Sequence, residues 1–138
     1  MSEPITLELK AELAGLEQAD QALDGFAARM AWPETTLFQL RLVLEEILMN
    51  VMAHGADGDR LPQVRLQIAQ QGSLLVLEIA DDGVAFDPLQ APVPDLDADL
   101  DDRPIGGLGV FLVRQLTDSV AYRREAGWNR LSVTKTVR

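Results

Sequence analysis

The run from Leu42 to His54 is apolar on nearly every side of a helix, yet it carries Glu46 and Asn50 on one face, one turn apart. A helix of that character belongs inside a fold, where a polar side chain removed from water without a partner costs roughly 1 to 3 kcal/mol. Either neighbouring backbone satisfies the pair, or something bound does. The chain has 138 residues, of which 47% are hydrophobic, enough for one well-filled core and a single domain spanning 1–138.

A formal charge of -10 argues against a nucleic-acid surface, which needs a cationic stripe. Without cysteine there is neither a disulfide framework nor a thiolate metal site. The start Met1-Ser2-Glu3-Pro4 lacks the regions of a signal peptide, and no apolar run approaches a membrane span, so the expectation is a cytoplasmic chain with no membrane partner.

Alternation over Ile5 to Leu9 predicts a strand. Apolar residues at Leu16, Ala19, Leu23, Phe26 and Met30 predict an amphipathic helix ended by Trp32-Pro33. Pro33 suits the start of a second helix from about Glu34 to His54, and Gly55 is placed to cap it in the left-handed conformation. Val64, Leu66 and Ile68 alternate with polar residues, then Gln70 to Ser73 turns the chain into Leu74 to Ala80, a hairpin. A long loop from Asp87 to Pro104, with four prolines and a run of acids, precedes a short helix, Val110 to Leu116. Two strands close the chain, near Ser119 to Arg123 and Leu131 to Val137. The sum is an α+β, two-layer sandwich: a mixed, mostly antiparallel sheet with helices on one face. Arg65, Gln67, Ser132, Thr134 and Thr136 suit the solvated face.

Three segments offer chemistry. Asp81-Asp82-Gly83 reads as a strand and turn, but a carboxylate fixed at a strand end also accepts a hydrogen bond from an exocyclic amine, and Gly83 and Ala85 leave room for a flat ring. Gly106-Gly107-Leu108-Gly109 before a helix suits anion binding, with Arg103 beside it as a charge-assisted contact to phosphate. In the third, Asn50 offers an amide oxygen to Mg²⁺, and Glu46 can take a proton from an attacking hydroxyl. His54, one turn on, either lines that site or sits at the helix end because the dipole favours it; Glu45 points elsewhere. The alternation of Asp95, Asp97 and Asp99 fails as a calcium loop, because there is no glycine at the sixth position and Gly106 stands where a bidentate Glu is needed.

Glu46-x-x-x-Asn50, Asp81-x-Gly83-x-Ala85 and Gly106-Gly107-x-Gly109, in that order, resemble the N, G1 and G2 boxes of the GHKL (Bergerat-fold, HATPase) ATPases over almost the whole chain. Size, leading strand and helix, and closing hairpin are most similar to the bacterial anti-sigma-factor serine/threonine kinases. The resemblance implies that Asp81 holds the adenine amino group and that Gly83, Ala85 and Phe86 form the purine pocket. It implies that Asn50 coordinates Mg²⁺ on ATP, that Glu46 is the general base, and that 87–105 is the ATP lid. Gly106, Gly107, Leu108, Gly109 and Val110 would contact the triphosphate. Kinases of this group phosphorylate a STAS-domain antagonist, sequester a sigma factor when ATP-bound, regulate transcription and commonly act as homodimers. Where many relatives carry Gly-x-Thr, this chain reads Gly127-Trp128-Asn129. The acidic lid puts negative charge near the triphosphate, to be offset by Mg²⁺, Arg103 and Arg114. Two alternatives stay open: a non-catalytic, nucleotide-dependent protein-binding module, and a detached histidine-kinase ATPase module.

Overall fold

The computed structural model describes residues 3–90 and 107–137. In chain order the elements are β1 (Ile5–Lys10), α1 (Leu13–Met30), α2 (Glu34–His54), β2 (Gln63–Gln71), β3 (Leu74–Asp81), a 3-10 turn (Pro88–Gln90), α3 (Gly107–Leu116), β4 (Ser119–Glu125) and β5 (Trp128–Thr136). The strands form one five-stranded sheet in the order β1-β2-β3-β5-β4. Each neighbouring pair is antiparallel, so among the described residues the sheet is purely antiparallel and not mixed. The reason is connectivity: β2 to β3 and β4 to β5 are tight hairpins, and only a crossover makes a parallel pair.

The period of two divides each strand cleanly. Val64, Leu66 and Ile68 of β2, Leu75, Leu77 and Ile79 of β3, and Leu131 and Val133 of β5 point to one face and are buried. Leu23 and Phe26 of α1 and Leu40, Leu44 and Leu48 of α2 cover them, making one continuous core. Arg65 and Gln67 stand exposed on the other face, where the Arg65 guanidinium lies 4.5 Å from the Trp128 ring centre.

Three expectations change. Gly55 closes α2 at φ -92 and ψ -15, a right-handed conformation; the left-handed cap is Ala31 at the end of α1, with φ 55. Gly55 is needed for space instead, because a Cβ there would stand 2.7 Å from the Val51 carbonyl oxygen and 3.0 Å from Pro62 Cγ. Glu46 and Asn50 are half-exposed and not buried, since α2 turns Leu40, Val43, Leu44, Ile47 and Leu48 to the core instead. The start of the expected lid is ordered: Asp87 Oδ1 accepts the Leu89 N–H at 2.9 Å, and Leu89 packs on the core. The remainder of that segment, 91–105, lies outside the described residues.

The last hairpin sets the register that matters. Glu125 pairs with Trp128 across Ala126 and Gly127, whose φ values of 53 and 85 match a two-residue turn with both central residues left-handed. That turn places Asn129 opposite Arg124 of β4, and on its other side β5 pairs with β3, where Asn129 stands directly opposite Asp81.

Candidate nucleotide-binding site

Between α2, α3 and the end of β3 the molecule forms a partly open pocket. Its walls are mostly apolar, with Asn50, Asp81, Tyr122 and Asn129 as the polar groups among the described residues. This composition, an apolar slot with few convergent polar groups, suits a flat heterocycle.

Asp81 is 6% exposed. Its Oδ1 accepts two hydrogen bonds, from the Gly83 N–H at 3.0 Å and from Asn129 Nδ2 at 2.9 Å. Its Oδ2 has no hydrogen-bond partner among the described residues. Burial pushes the carboxyl above its ordinary value of 3.8, opposed by the Asn129 and Gly83 hydrogen bonds and by the Arg124 charge. Arg124 Nη1 also donates to the Gly83 carbonyl at 2.9 Å, tying the turn after β3 to β4.

Asn129 is 5% exposed, and protein atoms occupy all of its hydrogen-bonding capacity. Its Nδ2 also donates to the Val84 carbonyl at 2.9 Å. Its Oδ1 accepts from the Phe86 N–H at 3.3 Å and from the Tyr122 hydroxyl at 2.6 Å. Tyr122 sits two residues from Arg124, the partner of Asn129 in the β4–β5 register, so it reaches the amide diagonally. Burial raises the Tyr122 hydroxyl above its usual range, which keeps it a donor.

The residues singled out from the sequence fall into three groups. Asn50, Asp81, Phe86 and Val110 line the cavity. His54 stacks on Phe86 at a ring separation of 4.2 Å and an angle of 17°, continuing the wall to the helix end. Glu46 sits one turn before Asn50 on α2, outside the cavity wall, where a group beyond the base slot would meet it; neither Glu46 nor Asn50 has a side-chain hydrogen bond among the described residues. Ala85 is exposed, and the missing side chain of Gly83 makes room for Gly55, not for a ring. Arg103 and Gly106 lie outside the described residues; of Gly107, Leu108 and Gly109 the backbone alone is described, as the first turn of α3. Arg114 Nη2 donates to the Leu89 carbonyl at 3.1 Å.

Two participants were not foreseen, Tyr122 and the Val84 carbonyl. The Val120, Tyr122, Arg124 alternation and the Ala126-Gly127 turn carried the signal for Tyr122, because together they fix its row; nothing in the sequence marks a carbonyl.

For magnesium, no cluster of three or more His, Asp or Glu side chains able to hold a cation occurs among the described residues. A single amide oxygen at Asn50 fits an ion that keeps most of its waters and takes further ligands from a bound phosphate.

One antiparallel sheet with its helices on a single face, and an apolar slot walled by a strand-end aspartate, define a Bergerat-type ATPase domain. The description "Histidine kinase-like ATPase domain" belongs to the family whose model matches residues 9–135. The chain is 35% identical over 129 residues to the serine/threonine-protein kinase BtrW of Bordetella bronchiseptica, covering 94% of this chain and 91% of that protein. It is 25% identical over 131 residues to the serine-protein kinase RsbW of Listeria monocytogenes, covering 92% and 83%. Among solved structures, the RsbU and RsbW domains of Rv1364c from Mycobacterium tuberculosis superpose with a TM-score of 0.72 at 14% identity, over 99% of this chain and 33% of that one. The SiaB-SiaC complex from Pseudomonas aeruginosa gives 0.60 at 13% identity, over 96% and 89%. The chain belongs to the histidine kinase-like ATPase domain family, among its serine/threonine protein kinases. Among the described residues no helix is long and apolar enough to cross a membrane.

Proposed function

We propose that this kinase transfers the terminal phosphoryl group of magnesium-bound ATP to a serine or threonine on a small STAS-domain antagonist in a cytoplasmic partner-switching pathway. In the same reading, a homodimer of the chain holds a sigma factor while ATP is bound. The observation that carries it is Asp81, fixed by Asn129 and the Gly83 N–H at the wall of an apolar slot, with one oxygen left to accept a hydrogen bond from an adenine amino group.

Each residue then has a definite task. Asp81 orients the base, Phe86 and the apolar walls exclude water from it, and His54 backs Phe86 by stacking. Asn50 offers its amide oxygen to Mg²⁺, which supplies charge neutralisation on the phosphate oxygens when bound. Glu46, one turn away and free of protein partners among the described residues, takes the proton from the substrate hydroxyl. A bond forms between that oxygen and the terminal phosphorus, the bond to the bridging oxygen breaks, and ADP leaves. Gly106 to Gly109 would place helix-start amides on the phosphates.

The test mixes the protein with Mg²⁺-ATP and a cognate STAS-domain protein. Phosphoserine or phosphothreonine on the partner, lost in Glu46→Ala, is expected. Tight ATP binding with no transfer to any partner would leave the non-catalytic binding module in its place, and an acid-labile phosphohistidine product would point to the histidine-kinase alternative.

A further inference from the structure

Asn129 differs in one decisive way from a hydroxyl side chain at the same place. Both amide hydrogens and both oxygen lone pairs are spent on protein atoms: Asp81 Oδ1, the Val84 carbonyl, the Phe86 N–H and the Tyr122 hydroxyl. A flipped amide would set its oxygen against a carboxylate and a carbonyl and its NH₂ against a peptide N–H, so only one orientation is tolerated. The side chain therefore offers nothing to a ligand, and it fixes three things at once: the carboxylate plane of Asp81, the path of the turn through Val84, and the backbone of Phe86.

From this geometry we infer that Asn129, held by Tyr122, is the positioning residue that sets base selectivity, by freezing Asp81 so that a single acceptor oxygen, Oδ2, reads the base through its exocyclic amine. The inference rests on the reading of Asp81 as the base-binding group and deepens it. A frozen carboxylate accepts from a 6-amino group but opposes a 6-oxo group, which is itself an acceptor. A carboxylate free to turn could follow the N1–H of a 6-oxopurine instead, and selectivity would fall. The charged and titratable groups around Asp81 are Arg124 of β4, Asp82 next in the chain, Asp87 and Tyr122; none of these takes over the contact that Asn129 makes.

The experiment is calorimetric titration with ATP and with inosine triphosphate, which differs at the 6-position. The wild type is expected to favour ATP by roughly 10- to 100-fold, the worth of one hydrogen bond to a charged group against a mismatched one. In Asn129→Leu the ATP to inosine triphosphate ratio is expected to fall towards unity. Tyr122→Phe, which keeps the ring and removes one hydrogen bond, should lower it partway. Asn129→Thr can still donate to Asp81 but cannot span to Val84 and Phe86, so it should restore part of the ratio lost in Asn129→Leu. A purely structural role would weaken both nucleotides equally, and an unchanged ratio in folded Asn129→Leu would overturn the inference. Should Asn129→Leu fail to fold by circular dichroism, an unchanged ratio in both Tyr122→Phe and Asn129→Thr overturns it equally. Equal wild-type affinity for the two nucleotides would also overturn it, whereas a wild type that binds no ATP at all would refute the proposed function itself.

Discussion

Gly83 meets Gly55 backbone to backbone: a Cβ built on Gly83 would stand 2.5 Å from the Gly55 carbonyl oxygen and 2.9 Å from its Cα. The same carbonyl accepts the Val84 N–H at 3.0 Å, so the end of α2 and the turn after β3 are locked together at the mouth of the cavity. Both segments carry site residues, His54 on one and Asp81 on the other. Their close approach is therefore permitted by the absence of a side chain at Gly83.

Gly83→Ala should separate these segments. The clash is with backbone, which cannot swing aside as a side chain would, so the expected stability loss is about 1 to 3 kcal/mol. ATP affinity should fall together with it, because Asp81 loses the Gly83 N–H. Gly25→Ala is the control, since a Cβ there meets nothing and its backbone is helical. Denaturant melts and ATP titrations on both variants check this: a Gly83→Ala protein as stable as the wild type and binding ATP normally would refute the locking role.

Glu46→Gln should leave ATP binding unchanged and slow phosphoryl transfer by a factor of roughly 100 to 10,000, the range for removing a general base. Glu46 lies outside the cavity wall and makes no hydrogen bond among the described residues, so its loss leaves the base slot intact. Single-turnover transfer from ATP to a STAS-domain partner, measured beside the dissociation constant, separates the two effects. A variant that transfers at the wild-type rate would remove Glu46 from the chemistry.

ATP affinity should depend on pH through Asp81. Its carboxyl is raised above 3.8, chiefly by burial, so in the empty site the proton persists to a higher pH than on an ordinary aspartate. The protonated acid offers a donor to an amine that is itself a donor. Affinity should thus weaken as pH falls towards the raised value, and bound ATP, which favours the anion, should lower it. Asp81→Asn should bind weakly, with this component of the pH dependence gone. A wild type and an Asp81→Asn protein with parallel pH profiles would count against the assignment.

Much of this architecture is legible in the sequence, and the parts that are not share a physical cause. The 3.6-residue period from Leu16 to Met30 and the alternation at Val64, Leu66 and Ile68 report burial of one face, which is a local property, and the elements follow directly. The Glu46 and Asn50 spacing and the Asp81-Asp82-Gly83 turn were readable for the same reason. What Gly83 does was not, because the contact that forbids its side chain joins residues far apart in sequence: the backbone of Gly55 stands across from it. The exposure of Glu46 and Asn50 is not legible because an apolar run implies burial on every side, whereas α2 buries Leu40, Val43, Leu44, Ile47 and Leu48 and leaves these two partly open. Asn129 carried a hint in the Gly127-Trp128-Asn129 departure, but its contact with Asp81 follows from the β3–β5 register and those with Val84 and Phe86 from the path of the chain after β3, neither of which a local pattern encodes.

Asp20 gives a prediction away from the nucleotide site. It projects from α1 towards α2, its Oδ1 is buried without a hydrogen-bond partner among the described residues, and burial together with the Glu45 charge raises its carboxyl from 3.8 to about 6. Arg41 opposes the rise but is itself paired with Asp24. A folded-state value raised above the unfolded one favours the protonated protein. The associated stability is fully present below 3.8 and is lost as pH rises through about 6. Asp20→Asn, which carries no charge at any pH, should therefore be more stable than the wild type above about 6 and close to it below 3.8. The difference in melting temperature between the two proteins, followed across that window, should grow with increasing pH. A difference that stays constant, or grows in acid instead, would mean that the ionised Asp20 costs the fold nothing and that Arg41 compensates it in full.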